Sequence, residues 1–375
     1  MIVNVSNEGS PTAASEIPRS RLADLMRVVI DVALRTHDPG QYLPRAAARL
    51  TSIHQTRRSD DMKLRTTSDG LIAHDPDRDR WVRLPGERDL LAFLAEGASA
   101  RERATAAIAA RDAVEADPRT AGLPFRPRSI RAFMLWERHV IDSSRMLVKN
   151  FYPAPAAKVV LGFERLTGRP FPKLKPNARF REAPTFYVSN HTSVLADGED
   201  MWWPSHTQFL DFELELACVL ARPLVDATPE EALDAVGGWF VLNDWSARDI
   251  QADDARRNIF GPVIKAKTFA NSIGCDVVTA DAVPDWTAMR GRVRVDGELW
   301  CEGRTANPQH TLGAMLAYAS AGERLDAGDV ISTGTMPGCC GLELDRWIQP
   351  GQTVELEIDG IGTLTNRINL AAVPV

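Results

Sequence analysis

Lysine is scarce in this chain, with seven lysines against 37 arginines. Cations are not in excess either: the net charge is −6 at pH 7. That balance gives no support to a nucleic-acid or anionic-membrane partner, which would favour a basic patch. No stretch approaches the roughly 20 apolar residues that a membrane span requires. The five cysteines, Cys218, Cys275, Cys301, Cys339 and Cys340, are odd in number, and no pair has the spacing of a zinc site. The opening segment, MIVNVSNEGSPTAASEIPRS, lacks a basic region followed by an apolar core. Residues 1–20 therefore read as a disordered arm and not a signal peptide. A cytoplasmic protein is expected, and the glycosylation-like triplets at Asn4 and Asn190 carry no weight without a secretory signal.

What is present is an ordinary globular composition, 44% hydrophobic and 25% charged, over 375 residues. That length suggests two domains. Residues 20–50 show helical spacing through Leu22, Leu25, Met26, Val29, Ile30 and Val32. A short β-like stretch follows at Leu71–Ala73 and Trp81–Leu84, and residues 87–116 read as one or two Ala- and Glu-rich helices. Pro118, Pro124 and Pro127 then punctuate the chain, placing a boundary near residue 122. The expected organisation is an arm over 1–20, an N-terminal α+β domain over 21–122 and a second domain over 123–375.

The second part carries many short apolar runs bounded by turn signals, at 184–188, 209–220, 238–243, 277–278, 291–295, 329–332 and 353–358. Helices are expected at about 229–237 and 311–320. This is a β-rich pattern with a few helices.

Three segments carry chemistry. In the run Phe209–Leu216, strand alternation places Phe212, Leu214 and Leu216 on one face and Asp211, Glu213 and Glu215 on the other. The run continues into Ala217-Cys218-Val219-Leu220, which has the character of a buried strand. Carboxylates massed on a buried face repel one another, and a hard divalent cation with oxygen ligands resolves the conflict. An edge strand with one wet face would show the same pattern. In the second segment, Phe240–Gln251, an apolar run ends abruptly at Asn243-Asp244. Functional residues often sit where a strand meets a loop, and Asp244 could complete a metal set. Arg248 and Gln251 follow at helical spacing, and the arginine fork suits a substrate carboxylate. A simple Asp cap followed by a surface arginine is the alternative. In the third segment, Gly261–Asn271, two of the few lysines, Lys265 and Lys267, stand close together. Lys267 could serve as a compact charge near metal and substrate oxygens, and solvated surface lysines are the plain alternative.

In order and spacing, DFELELACVL, NDWSARDIQ and GPVIKAKTF resemble the fumarylacetoacetate hydrolase superfamily, as do AGDVISTGTMPG and PGQTVELEIDGIGTLTNRI near the end. The resemblance covers about residues 125–372. It implies an α+β, β-rich fold, a mixed β-sandwich roll, with the N-terminal domain as a smaller variable addition. It also implies a homodimer and a Mg²⁺, Mn²⁺ or Ca²⁺ ion held by Glu213, Glu215 and Asp244. Carried over position by position, Arg248, Gln251 and Thr335 become substrate-binding residues and Lys267 a catalytic one. The segment Arg131–His139 keeps the family's histidine, but Ala132 stands where relatives of fumarylacetoacetase itself carry an aspartate. Asn271 stands where threonine is common, and the vicinal pair Cys339-Cys340 is unusual.

His139 has Asp142 three residues on, one helical turn away. A carboxylate that orients an imidazole favours the tautomer able to take a proton from water. His139 with Asp142 is therefore the expected water-activating pair, and the His-x-x-Asp pattern is similar to the family's His-x-x-Glu. The leading expectation is metal-dependent hydrolysis of a carbon–carbon bond in an acylpyruvate-like or β-diketone substrate. A decarboxylase or a tautomerase/isomerase of a 2-keto dicarboxylate would use the same enolate chemistry. A non-catalytic metal-binding protein would have no need of Arg248, Gln251 and Lys267.

Overall fold

The computed structural model describes residues 62–370, all within one compact unit. The expected arm over 1–20 and the helical pattern over 20–50 lie outside the described residues. Two sheets form the body. In the larger, eleven-stranded sheet the path runs Arg80–Arg83, Gly70–Asp75, Lys63–Thr67, Val277–Thr279, Val236–Asp244, Glu213–Leu220, Asp329–Cys340, Ser129–Phe133, Phe186–Ser189. The strands used below are β1 (Ser129–Phe133), β2 (Phe186–Ser189), β3 (Glu213–Leu220), β4 (Val236–Asp244) and β5 (Asp329–Cys340). The smaller sheet has five strands, with Glu298–Arg304, Arg290–Val295, Thr353–Ile358, Gly362–Asn369 and Met201–Trp202 in that order.

Strand β3 lies in the middle of the large sheet, and all eight of its residues are buried. That explains its nearly unbroken apolar sequence, as expected of a strand covered on both faces. Its even positions, Leu214, Leu216, Cys218 and Leu220, enter the main core, where Val293, Leu356 and Leu364 of the smaller sheet also lie. Its odd positions run the other way: Ala217 and Val219 join a second core with Phe240 and Leu242 of β4. Glu213 and Glu215 continue that same odd face toward the end of the strand.

The expected boundary near residue 122 does not separate two sheets. Lys63–Thr67 pairs antiparallel with Val277–Thr279, so the first three described strands extend the edge of the large sheet. Leu64, Leu71, Leu90 and Phe93 pack in the second core with Ala217 and Phe240. A three-stranded meander with two short helices buries too little apolar surface by itself, and the second face of the large sheet supplies the missing layer.

Helices line one end of the sheet. Helix α1 (Glu137–Phe151) places Glu137 in its first turn and Lys149 in its last, each favourable to the helix dipole. Helix α2 (Ala154–Thr167) starts with proline in its first turn and stops at Gly168 in the left-handed region, φ 64°. The two pack through Ile141, Val160 and Leu174. Helix α3 (Arg248–Arg257) leaves the end of β4, and the single turns α4 (Ile264–Lys267) and α5 (Gly341–Leu344) follow. The expected helices near 229–237 and 311–320 occur as Pro229–Leu233 and Leu312–Ser320. Among the described helices, none is long and apolar enough to cross a membrane.

Candidate active site

The site grows from the register of β3 and β4. Glu215 lies opposite Leu242 in this antiparallel pair, which brings Glu213 beside Asp244 at the end of β4. Phe240, Leu242 and Asp244 share one face of β4, turned to the same side as the odd face of β3. The carboxylate oxygens of Glu213, Glu215 and Asp244 consequently lie within 4.8 Å of one another. All three residues are no more than 3% exposed. They open into a cavity of about 260 Å³ that is also lined by Ala132, His139, Tyr187, Arg248, Gln251, Lys267 and Thr335.

The cluster is braced from several sides. Lys267, brought in by α4, donates to Glu213 Oε2 at 2.5 Å and to Asp244 Oδ2 at 3.0 Å. Arg248, at the start of α3, donates from Nη2 to Glu213 Oε1 and from Nε to Asp211 Oδ2, both at 2.7 Å. Its remaining Nη1 donates to Gln251 Oε1 at 2.8 Å. On the β5 side, the Ser332 hydroxyl donates to Glu215 Oε2. Thr335 Oγ1 donates to Glu215 Oε1 at 3.3 Å. Between them, Gly334 takes φ +90°, and a Cβ there would meet the Phe133 carbonyl oxygen at 2.2 Å. Only glycine fits that irregular step in the β3–β5 pairing.

Charge sets the electrostatics. Four buried carboxylates, Asp211, Glu213, Glu215 and Asp244, face two buried cations, Arg248 and Lys267. With all four ionised, two negative charges would be left uncompensated. Burial pushes the Glu215 carboxyl well above its usual range, and Asp244 and Glu213 push it further. Burial also raises Asp244, against the pull of Lys267. Glu213 is the exception: burial is outweighed by Lys267, Arg248 and His139, and its pKa falls below the normal value. Burial and the neighbouring Asp244 hold the Tyr187 phenol protonated, and its hydroxyl donates to Asp244 Oδ2.

This arrangement fits a divalent cation. The all-oxygen donor set suits a hard ion, whose two positive charges would balance the two left over when all four carboxylates ionise. Asp244 Oδ1 is buried without a hydrogen-bond partner, which is costly unless something positive meets it. Glu213, Glu215 and Asp244 would hold the ion. Asp211 is different, although the alternation places it with them. The strand breaks at Phe212, and the Asp211 oxygens accept from Arg248, Phe212 N, Gly341 N and Leu342 N. Asp211 is saturated by the protein and braces Arg248. Ala132 lines the cavity without offering a ligand.

His139 reaches the cavity from α1 and is 5% exposed. Asp142 does not meet it. That carboxylate turns outward and pairs with Arg138 and Arg145, on its own helix one turn to either side. The i, i+3 spacing permits contact with His139, but Arg138 and Arg145, at the same helical spacings from Asp142, capture its carboxylate. The imidazole Nδ1 instead lies 3.0 Å from Glu343 Oε2, contributed by α5 after the Cys339-Cys340 pair. Glu343 also accepts from Gly338 N and from the Cys340 thiol. Burial lowers the His139 pKa, but Glu343 outweighs it and the net shift is upward.

Arg248 was expected to read a substrate carboxylate, yet each of its nitrogens is engaged by Asp211, Glu213 or Gln251. Tyr187, Ser332, Asp211 and Glu343 complete the site without having been singled out. Asp211 alone carried a signal, as a member of the alternating carboxylate run. Asn271 pairs with Asp244 across the sheet, and its amide donates to Ser189 Oγ at 2.8 Å.

A two-sheet β-rich body with a braced carboxylate triad at its strand ends defines a class of protein whose carboxylates could hold a hard cation beside a small cavity. Residues 166–369 match the model of the fumarylacetoacetate (FAA) hydrolase C-terminal domain, and the chain belongs to that family. A 4-hydroxyphenylacetate degradation bifunctional isomerase/decarboxylase of Escherichia coli is 28% identical over 187 residues, 50% of this chain and 42% of that relative. An oxaloacetate tautomerase of Bacillus subtilis is 29% identical over 182 residues, 48% of this chain and 58% of that relative. The chain thus spans about half the length of these curated relatives. A fumarylacetoacetate hydrolase structure from Exiguobacterium antarcticum shares the fold, with a TM-score of 0.59 at 22% identity over 83% of this chain and 100% of that one.

Proposed function

We propose that the protein hydrolyses a carbon–carbon bond in an acylpyruvate-like or β-diketone substrate. The observation that carries this reading is the buried His139–Glu343 pair in the same cavity as Glu213, Glu215, Asp244 and Lys267. When bound, Mg²⁺ or a similar divalent ion would act as a Lewis acid on the substrate's keto and enolate oxygens. With Nδ1 donated to Glu343, His139 presents Nε2 to water and takes one proton from it. The hydroxide adds to the distal carbonyl carbon. The adjacent carbon–carbon bond then breaks, and its electron pair passes to the pyruvyl side as an enolate. The Lys267 ammonium stabilises that developing charge, and the proton held by His139 returns to the enolate carbon. The products are a carboxylic acid and a 2-keto acid. Arg248 and Gln251 hold Glu213 in place for this work, and Thr335 does the same for Glu215.

Decarboxylation or tautomerisation of a 2-keto dicarboxylate is the second reading, favoured by the names of the Escherichia coli and Bacillus subtilis relatives. It needs the same enolate stabilisation and no attacking water. A substrate panel with Mg²⁺ or Mn²⁺, scored by product mass, separates the two. Hydrolysis adds the mass of water across two products, each of two carbons or more. Loss of carbon dioxide, or unchanged mass, would replace the hydrolase reading with the second one. A homodimer formed through the second domain belongs to the same proposal on family resemblance, and sedimentation at micromolar concentration tests it.

A further inference from the structure

We infer that the preferred substrate carries a single acidic head and an apolar acyl tail, and is not a dicarboxylate. The inference rests on the 1,3-dicarbonyl reading above and adds to it the nature of the far end of the substrate.

The cavity has two unlike ends. Its floor holds the three carboxylates with Lys267 and Arg248. Away from that floor, the lining is an apolar wall that includes Met134, Leu147, Pro262 and Val263. Phe133 and Phe186, paired across β1 and β2 with tilted rings 4.9 Å apart, belong to the main core, on the other face of the sheet from Ala132 and Tyr187. Met134, just past the end of β1, lines the cavity and is 42% exposed, a placement suited to receiving an apolar group from solvent.

A second carboxylate would find no cation on this wall. Among the described residues lining the cavity, the permanent cations are Lys267 and Arg248, and both are already committed to Glu213, Asp244, Asp211 and Gln251. The arginines of α1 are tied elsewhere: Arg138 to Asp142, and Arg145 to Asp142 and Glu164. The polar groups on this side are neutral. Ser143 donates to the His139 carbonyl at 2.6 Å, the Tyr187 hydroxyl serves Asp244, and Thr185 offers one hydroxyl. An ionised carboxylate stripped of water here would lack a compensating partner, whereas an alkyl or aryl group would gain by burial.

The test uses 2,4-dioxo acids with Mg²⁺: acetyl-, butanoyl- and benzoylpyruvate, and succinylpyruvate as the carboxylate-ended counterpart. Each added methylene should raise kcat/KM about fourfold until the cavity is filled, and succinylpyruvate should be at least about 100-fold poorer than butanoylpyruvate. A binding measurement independent of turnover uses 2-oxohexanoate against 2-oxoadipate, followed by calorimetry. The monoacid should bind at least about tenfold tighter. Met134→Arg, at the exposed rim, should shift both ratios toward the diacid by tenfold or more, and Leu147→Arg provides a second cation placed on α1. Equal or better use of the diacids by the wild-type protein, or ratios unmoved in both variants, would overturn this inference while the 1,3-dicarbonyl reading stood. Failure of the monoacids and the diacids alike to bind or react would remove both.

Discussion

The floor and the wall of one cavity are built from opposite materials. The floor stands on β3, β4 and β5, in the middle of the large sheet, and its side chains are ionisable, buried and cross-braced. The wall comes from a strand end, a helix and a loop, and its side chains are apolar and partly open to solvent. Ionised groups without water must be held by neighbours, so the floor tolerates almost no freedom. Apolar groups make no such demand, so the wall can change without disturbing the chemistry. On the proposed function, reactivity resides in the floor and selectivity in the wall. His139, on α1 but paired to α5, joins the two.

The largest effect should come from breaking the floor. Glu213→Ala removes one ligand and leaves Arg248 and Lys267 each short of a buried partner. Activity should fall to background, stoichiometric metal should be lost on dialysis, and denaturant unfolding should show a loss of about 3–5 kcal/mol. A Glu213→Ala protein that kept its metal and its rate would end the assignment of the floor.

His139→Ala comes next. Loss of the base should lower kcat by about 10²–10⁴-fold while metal binding survives, because His139 is not in the triad. A kcat within a few-fold of wild type would show that the imidazole only packs between α1 and the floor.

Glu343→Gln should have a smaller effect with a characteristic signature. Glu343 raises the His139 pKa against the opposing effect of burial. With its charge removed, burial and Arg248 are opposed only by Glu213, so the acidic limb of the kcat profile should move to lower pH as kcat falls about 10–100-fold. The sign for stability follows from the same shift. The folded imidazole titrates above its ordinary value of 6.5, so the stabilisation from the pair is full below that value and is lost as pH rises through the folded pKa. Glu343→Gln should therefore cost stability at pH 5.5 more than at pH 8.5, as read by thermal unfolding. A limb that stayed in place would detach Glu343 from His139.

Asp142→Asn should do least. Its partners Arg138 and Arg145 sit on the outer side of α1, and partly exposed pairs contribute little, about 0–1 kcal/mol. The rate should stay within about twofold of wild type. A loss comparable to that of His139→Ala would restore Asp142 as the orienting group.

The helix and strand patterns that can be read from the chain fall largely where the structure has them. The alternation of Glu213 and Glu215 with Leu214 and Leu216 appears as two faces of one buried strand, and the abrupt end of the Phe240–Leu242 run at Asp244 is a strand end. These features are local, with a period of two residues, so a linear sequence displays them. The pairing of His139 with Glu343 is not local, since 204 residues separate them. No periodicity points from α1 to the single turn α5, and the nearer Asp142 offered a misleading partner at helical spacing. Tyr187 and Ser332 were silent for the same reason, since each reaches a carboxylate on another strand.

The chain's sequence alone determined which residues bear negative charge on the odd face of β3, which lysine stands among so few, and the family to which the motifs belong. Those properties depend on residue type, order and short-range period. The tertiary structure decided the rest. It placed Asp211 under Arg248 and not in the triad, committed the Arg248 fork to the protein's own carboxylates, and chose Glu343 over Asp142 for His139. Each of these outcomes depends on which distant groups are driven together when water is removed. Burial makes an unpaired charge costly, and only the packed structure determines which partners are within reach to pair it.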